Sequence, residues 1–253
     1  MKFRPCIDIH QGKVKQIVGE TLSANNEGVV ENFVSDREPG YYAELFRNDG
    51  LTGGHVIMLG GGNAAAAEQA LAGYPGGLQI GGGITADSAP GWLEKGASHV
   101  IVTSYVFQDG RLQQDNLDRI VSAVSKEKLV IDLSCKERDG KWFVVTNGWT
   151  TFSDFELNEA NIRSLEGYCD EFLIHAVDVE GKRGGVLTQL VEKLAGWVTI
   201  PTTYAGGARS LDDLELFHRL TEGKLDITVG SALDIFGGQL PYRDVVAYFE
   251  SLR

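Results

Sequence analysis

Eight short apolar runs, each followed by an amphipathic stretch, set the tightest limit on how this chain can fold. The runs cover residues 3–9, 55–59, 78–81, 99–103, 129–133, 171–177, 199–204 and 226–229. Their nearly unbroken apolar character is what parallel strands covered on both faces require. The stretches 40–48, 64–72, 89–95, 114–124, 159–165, 187–194, 211–220 and 241–252 carry apolar residues at helical spacing. Strands alternating with helices predict an α/β fold. Eight alternations in 253 residues favour a closed (β/α)8 TIM barrel over an open doubly wound sheet. No linker or low-complexity segment interrupts the pattern, so residues 1–253 read as a single barrel.

Self-comparison narrows the fold further. Pro5-Cys6-Ile7-Asp8-Ile9 matches Leu129-Val130-Ile131-Asp132-Leu133 at a shift of 124 positions. Gly82-Gly83-Ile84-Thr85-Ala86-Asp87 matches Gly206-Gly207-Ala208-Arg209-Ser210-Leu211 at the same 124, and Val102-Thr103-Ser104 matches Val229-Gly230-Ser231 at 127. Each pair relates one strand to the fourth strand after it. The expectation is two homologous half-barrels, about 1–124 and 125–253, related by a two-fold rotation.

That symmetry gives the repeated residues a chemical meaning. Asp8 and Asp132 each end an apolar strand, on the face where barrel enzymes carry their active sites. A single strand-end Asp serves as readily to cap a helix. A facing pair predicts general acid–base catalysis. The turns at Gly82-Gly83 and Gly206-Gly207 follow the third and seventh strands and lead into helices. Glycine lets the backbone approach an anion closely, and helix starts offer free N–H groups. Thr103-Ser104 and Gly230-Ser231 would complete one phosphate cradle in each half. Alone, each Gly-Gly turn is explained by tight packing. Two cradles half a barrel apart predict a small-molecule substrate with a phosphate at each end.

Composition excludes other partners. A net charge of −12 argues against nucleic acid and anionic membranes, which call for a basic stripe. Glycine is abundant, 32 of 253 residues, where about 7% is usual, and many follow the apolar runs. Cys6, Cys135 and Cys169 are odd in number and lack metal-type spacing, so they read as reduced buried thiols. No signal-peptide pattern or membrane-spanning run is present, and a cytoplasmic monomer is expected, or a plastid stromal one if a transit peptide has been removed. Residues 12–36 and 134–156 read as long loops on the catalytic face, the second with a turn at Arg138-Asp139-Gly140-Lys141 before a β-like run over 142–146.

Ile7-Asp8-Ile9 with Gly12-Lys13, Gly81-Gly82-Gly83-Ile84, Asp132, Gly206-Gly207 and Gly230-Ser231 resemble the ProFAR isomerase family of histidine biosynthesis, along essentially the whole chain. The residues 55–60, 172–181 and 233–238 are most similar to its eukaryotic-type branch. The resemblance implies an Amadori rearrangement of an aminoaldose to an aminoketose, without cofactor or metal, on a ribotide carrying two phosphates. It implies Asp8 as base and Asp132 as acid, although the residues themselves leave a swap open. Trp149 is similar to the family's aromatic that stacks on the aminoimidazole, and reads equally as a packed loop anchor.

The chain also departs from the bacterial pattern of that family. Met58 stands where an acidic residue is usual, Gln16 where an arginine is usual, and His175-Ala176 where Thr-Asp is usual. His175 is expected to contact substrate in place of the threonine, or to be a hydrogen-bonded strand-end histidine. Asp178 resembles a residue of the related cyclase of imidazole-glycerol-phosphate synthesis, which would need an ammonia-supplying partner. That cyclase, an isomerase that also takes phosphoribosyl-anthranilate, and a non-catalytic phosphosugar-binding barrel are the competing readings.

Overall fold

A computed structural model describes residues 1–17, 30–182 and 184–252. Its central sheet contains the eight expected parallel strands: β1 Cys6–His10, β2 Gly54–Leu59, β3 Leu78–Gly81, β4 Val100–Val102, β5 Leu129–Asp132, β6 Glu171–His175, β7 Thr202–Ala205 and β8 Asp226–Thr228. Consecutive strands pair in parallel from β1 to β8. The ring closes ahead of β1, where Phe3 bridges Ile227, with Arg4 N–H donating to the Ile227 carbonyl at 2.9 Å and Ile227 N–H to that of Lys2 at 3.1 Å. The chain is a (β/α)8 barrel.

Among the described residues, eight α-helices surround it: α1 Pro39–Asn48, α2 Ala64–Gly73, α3 Ala89–Glu94, α4 Gln114–Val124, α5 Glu159–Leu165, α6 Thr188–Trp197, α7 Leu211–Thr221 and α8 Tyr242–Ser251. Their boundaries follow local chemistry. Pro39 opens α1, where its missing N–H costs nothing. Ser210 caps α7 by accepting from Asp213 N–H. Most predicted boundaries lie within two residues of these. The seventh strand differs, starting at Thr202 rather than 199, because Thr199 turns its N–H and hydroxyl onto Glu166 at 2.6 and 2.5 Å and Pro201 has no N–H for a ladder.

Two cores result. Between barrel and helices lies the large apolar layer that includes Phe46, Leu71, Leu117, Phe172 and Phe217. Inside the barrel, Ile101, Val130, Leu173 and Ala205, with Ile57 against them, form a separate plug. Beneath this plug is a polar floor. Gln79 and Thr203 donate to Glu171 at 3.1 and 2.8 Å, and Arg4 lies 3.6 Å from Glu171 and 2.8 Å from Asp226. Burial nevertheless lifts the Glu171 carboxyl above its ordinary pKa, with Arg4 opposing. The floor and plug leave only the C-terminal end of the barrel open to chemistry.

The two long segments on that face contain strands that the alternation did not reveal. Lys13–Ile17 folds back antiparallel on β1 through a turn at Gln11-Gly12, and pairs onward with Glu31–Val34. The middle of the predicted 12–36 loop, residues 18–29, lies outside the described residues. The second segment is a three-stranded antiparallel sheet, Cys135–Arg138, Lys141–Thr146 and Thr151–Glu156. The expected turn before 142–146 joins its first two strands.

Candidate active site

Register carries the first site residues to the barrel mouth. Asp8 lies beside Ile57 in the ladder and Asp132 beside Leu173, so each carboxylate rises just above the apolar plug. A cavity of about 260 Å³ sits there, lined by both aspartates, by Gly82, Gly83, Thr103 and Ser104, and by Trp149 and His175. Eight of the twelve residues singled out in the sequence therefore meet in one space.

Unlike neighbours surround the two carboxylates. Gln16, on the strand that folds back over β1, donates through Nε2 to Asp8 Oδ2 at 3.0 Å. Burial first, and the nearby Glu180 carboxylate second, raise Asp8 to a pKa of about 7, against the pull of His175 and Gln16. Asp132 instead accepts from the Ser134 hydroxyl at 2.9 and 3.1 Å on its two oxygens, and His175 Nδ1 stands 3.5 Å from Oδ1. Burial disfavours charge on His175, but Asp132, then Glu180 and Asp8, outweigh it and raise the imidazole to about 9. Glu180 is itself raised by burial, with His175 opposing.

Aromatic rings frame the histidine. Trp149 lies 6.0 Å from it, centroid to centroid, and His55 lies 5.9 Å away, edge-on. Trp149 holds a φ of +65°, a strained value for a bulky side chain, within the turn that begins at Asn147. The turn is held by Thr150, whose N–H donates to the Thr146 carbonyl and whose hydroxyl donates to that of Asn147, at 3.0 and 2.7 Å. Its indole is thereby aimed across the cavity rather than into the apolar core.

The glycine turns differ between the halves. Gly83 and Ser104 face open space at the cavity. Gly82 is glycine for packing, since a Cβ there would stand 2.1 Å from the Met58 carbonyl oxygen. Gly206, Gly207, Gly230 and Ser231 do not line the cavity. Gly185, from the loop after β6, lies across Gly207, donating its N–H to the Gly207 carbonyl at 3.0 Å. A Cβ on Gly207 would meet the Gly185 oxygen at 2.1 Å. A Cβ on Gly230 would meet Gln16 Oε1 at 2.8 Å, which places that turn behind the side chain holding Asp8.

The expected free helix starts are also modified. Between Gly83 and α3, Thr85 and Ser88 bond to each other, and α7 is closed by Ser210 and by Asp213, which accepts from Arg209 N–H at 3.0 Å. Donors for an anion would therefore come from the turns themselves.

The family described as histidine biosynthesis protein matches residues 2–240. The chain belongs to this family. Among its histidine-biosynthesis relatives, a Neurospora crassa protein is 53% identical over 241 residues, covering 94% of each chain. A Medicago truncatula protein is 52% identical over 254 residues, covering 98% of this chain and 81% of its own. A Saccharomyces cerevisiae protein is 49% identical over 246 residues, 94% of each. All three are named as isomerases of a phosphoribosyl, (phosphoribosylamino)methylideneamino imidazole carboxamide, the Medicago protein as chloroplastic.

Within this histidine-biosynthesis barrel, Asp178 does not reach the cavity. Its carboxylate accepts from Glu137 N–H at 2.8 Å and ties the loop after β6 to the three-stranded sheet after β5. Met58 lines the cavity wall without a charge. Gln16 holds Asp8, a role that its place in a departure from the bacterial pattern did not reveal. Ser134 and Glu180 were missed altogether. Ser134 lies two residues past the strand-end Asp132, the one local clue, whereas Glu180 acts on Asp8 only because the loop after β6 brings its carboxylate near.

Proposed function

We propose that this chain is an aldose–ketose isomerase of histidine biosynthesis that converts a ribotide with a phosphoribosyl group at each end into its ribulosyl form. The observation that carries the reading is the pair Asp8 and Asp132 on opposite walls of one cavity, in a chain whose relatives bear that isomerase name. An Amadori rearrangement needs a proton delivered to the sugar ring oxygen and a proton removed from C2′. Asp8, with a pKa of about 7, is poised near neutral pH and takes the C2′ proton. The acid side belongs to Asp132 and the groups around it.

The turn Gly82-Gly83 with Thr103 and Ser104 receives one phosphate, and Trp149 stacks on the imidazole. A cavity of about 260 Å³ falls below the ~300–1,000 Å³ usual for ligand sites. It accommodates one end of such a substrate. The other phosphate belongs at Gly206-Gly207 and Gly230-Ser231, which requires Gly185 to leave Gly207. The protein acts as a monomer in a reducing compartment, cytoplasm or stroma, a location supported by three buried free thiols. Among the described residues no helix is long and apolar enough to cross a membrane.

The test is a spectroscopic assay of the purified protein on ProFAR, with and without ammonia. Isomerised product that goes no further in either case is expected. Absence of turnover would overturn the isomerase reading, and ammonia-dependent onward conversion would identify a cyclase. In the same assay Gly83→Val should raise KM, and an unchanged KM would remove the first cradle. Gly83 is the informative choice, because a side chain at Gly82 would strike the Met58 backbone instead.

A further inference from the structure

We infer that His175 is the proton donor of this site, held as an imidazolium by Asp132, and that Asp132 is a positioning residue. The inference rests on the isomerase reading above and assigns the acid within it.

Geometry carries the assignment. Both Asp132 oxygens accept from the Ser134 hydroxyl, and among the described residues the other polar group set against them is His175 Nδ1, buried without a full hydrogen bond at 3.5 Å from Oδ1. Among the described residues, then, every partner of Asp132 is a donor, and the proton of the pair resides on the imidazole. With Nδ1 turned to Asp132, Nε2–H is left for a ligand, the arrangement by which a buried carboxylate orients a catalytic histidine. His175 lines the same cavity as Asp8 and stands between Trp149 and His55.

The charges facing His175 come from several elements. Asp132 on β5, Glu180 in the loop after β6 and Asp8 on β1 all favour its charged form, and together they raise it to about 9. His55 on β2 does not compete. Burial, then the charge of His175, then Arg4 lower His55 to about 3, so it stays neutral beneath the site. At neutral pH the cavity thus contains one full donor and, in Asp8 at about 7, one poised acceptor.

The steps balance. His175 gives its proton to the ring oxygen as the bond from C1′ to that oxygen breaks, and the amine lone pair forms C1′=N. Asp8 takes the C2′ proton, the C2′–H electrons form C1′=C2′, and the C=N electrons return to nitrogen. The C2′ hydroxyl proton then restores His175 as C2′=O forms, and Asp8 returns its proton to C1′. Neither residue changes its protonation state over the cycle.

Nitrogen-15 NMR of His175 in the intact protein tests the pairing without any substrate. The imidazole should be protonated at pH 7 and should lose its proton at lower pH in Asp132→Asn; a neutral ring at pH 7 in the unaltered protein would overturn the inference. In the isomerase assay, His175→Gln should lose at least ~10² in kcat together with the alkaline limb of kcat/KM. His175→Ala should regain turnover with added imidazole, which a packing role would not produce. Retention of the wild-type alkaline limb in His175→Gln, or absence of imidazole rescue in a folded His175→Ala, would refute the donor role. If the unaltered protein fails to turn over ProFAR, the isomerase reading fails on its own, while the NMR measurement still decides the pairing.

Discussion

Asp8 and Asp132 end barrel strands four places apart and line one cavity, yet their neighbours differ in kind. Asp8 accepts from the Gln16 amide and has a second carboxylate, Glu180, nearby. Asp132 has a hydroxyl and an imidazole. Burial beside like charge favours a bound proton on Asp8. Position at a strand end therefore delivers a carboxylate to the mouth of the barrel, and side chains from other loops decide what it does there. The two glycine turns show the same inequality, one open at the cavity and one covered by Gly185.

The largest expected effect is on turnover. Asp8→Asn and Asp132→Asn should each reduce kcat by at least ~10², by loss of the base in one case and of the acid's partner in the other. Near-normal kcat in either would break the division of labour at that wall.

Stability should report on the Asp8 wall directly. The folded pKa of Asp8, about 7, lies above its ordinary value of 3.8, so its contribution to stability is present below pH 3.8 and is lost as pH rises through about 7. Asp8→Asn should leave Tm unchanged near pH 4 and raise it at pH 8. The gain is at most about 4 kcal/mol, reduced because the carboxylate partly faces the cavity. Thermal unfolding of Asp8→Asn at the two pH values checks this, and an unchanged Tm at pH 8 would show that burial does not hold the Asp8 proton.

The pH profile offers a subtler measure. Activity should fall as pH drops through the Asp8 pKa. Glu180→Gln removes a charge that raises it, so the acid limb of kcat/KM should move to lower pH; Gln16→Leu removes a bond that lowers it and should move the limb upward. Movement in the same direction for both would show that Asp8 does not govern the limb. The smallest effect is expected at Trp149, beside His175 on the opposite wall. Trp149→Leu should raise KM by ~2–10-fold, the worth of a stacked aromatic pair, and leave the acid limb where it was.

Much of this arrangement was legible in the residues. The eight alternations located every barrel strand and helix, because a strand buried on both faces and a helix buried on one leave different apolar periods. Asp8, Asp132 and the Gly82-Gly83 turn were legible through their repetition. The hairpin strand Lys13–Ile17 was not, since its alternating residues follow so closely on β1 that they blend into a polar loop. Nor was the cover over Gly207. Gly185 is one glycine among 32, and only the path of the loop after β6 brings it there.

The sequence by itself determined the barrel, the strand-end carboxylates and the family, since each rests on local periodicity or on residues close together in the chain. Tertiary structure alone decided that Asp8 is poised near neutrality, that His175 stands beside Asp132 at the cavity, and that Asp178 braces a loop instead of entering the cavity. Those outcomes depend on Glu180 from the loop after β6, Ser134 from just past the end of β5 and Gln16 from the hairpin strand after β1 meeting at the site. Electrostatic bias falls off over a few ångströms of space, whatever the separation along the chain.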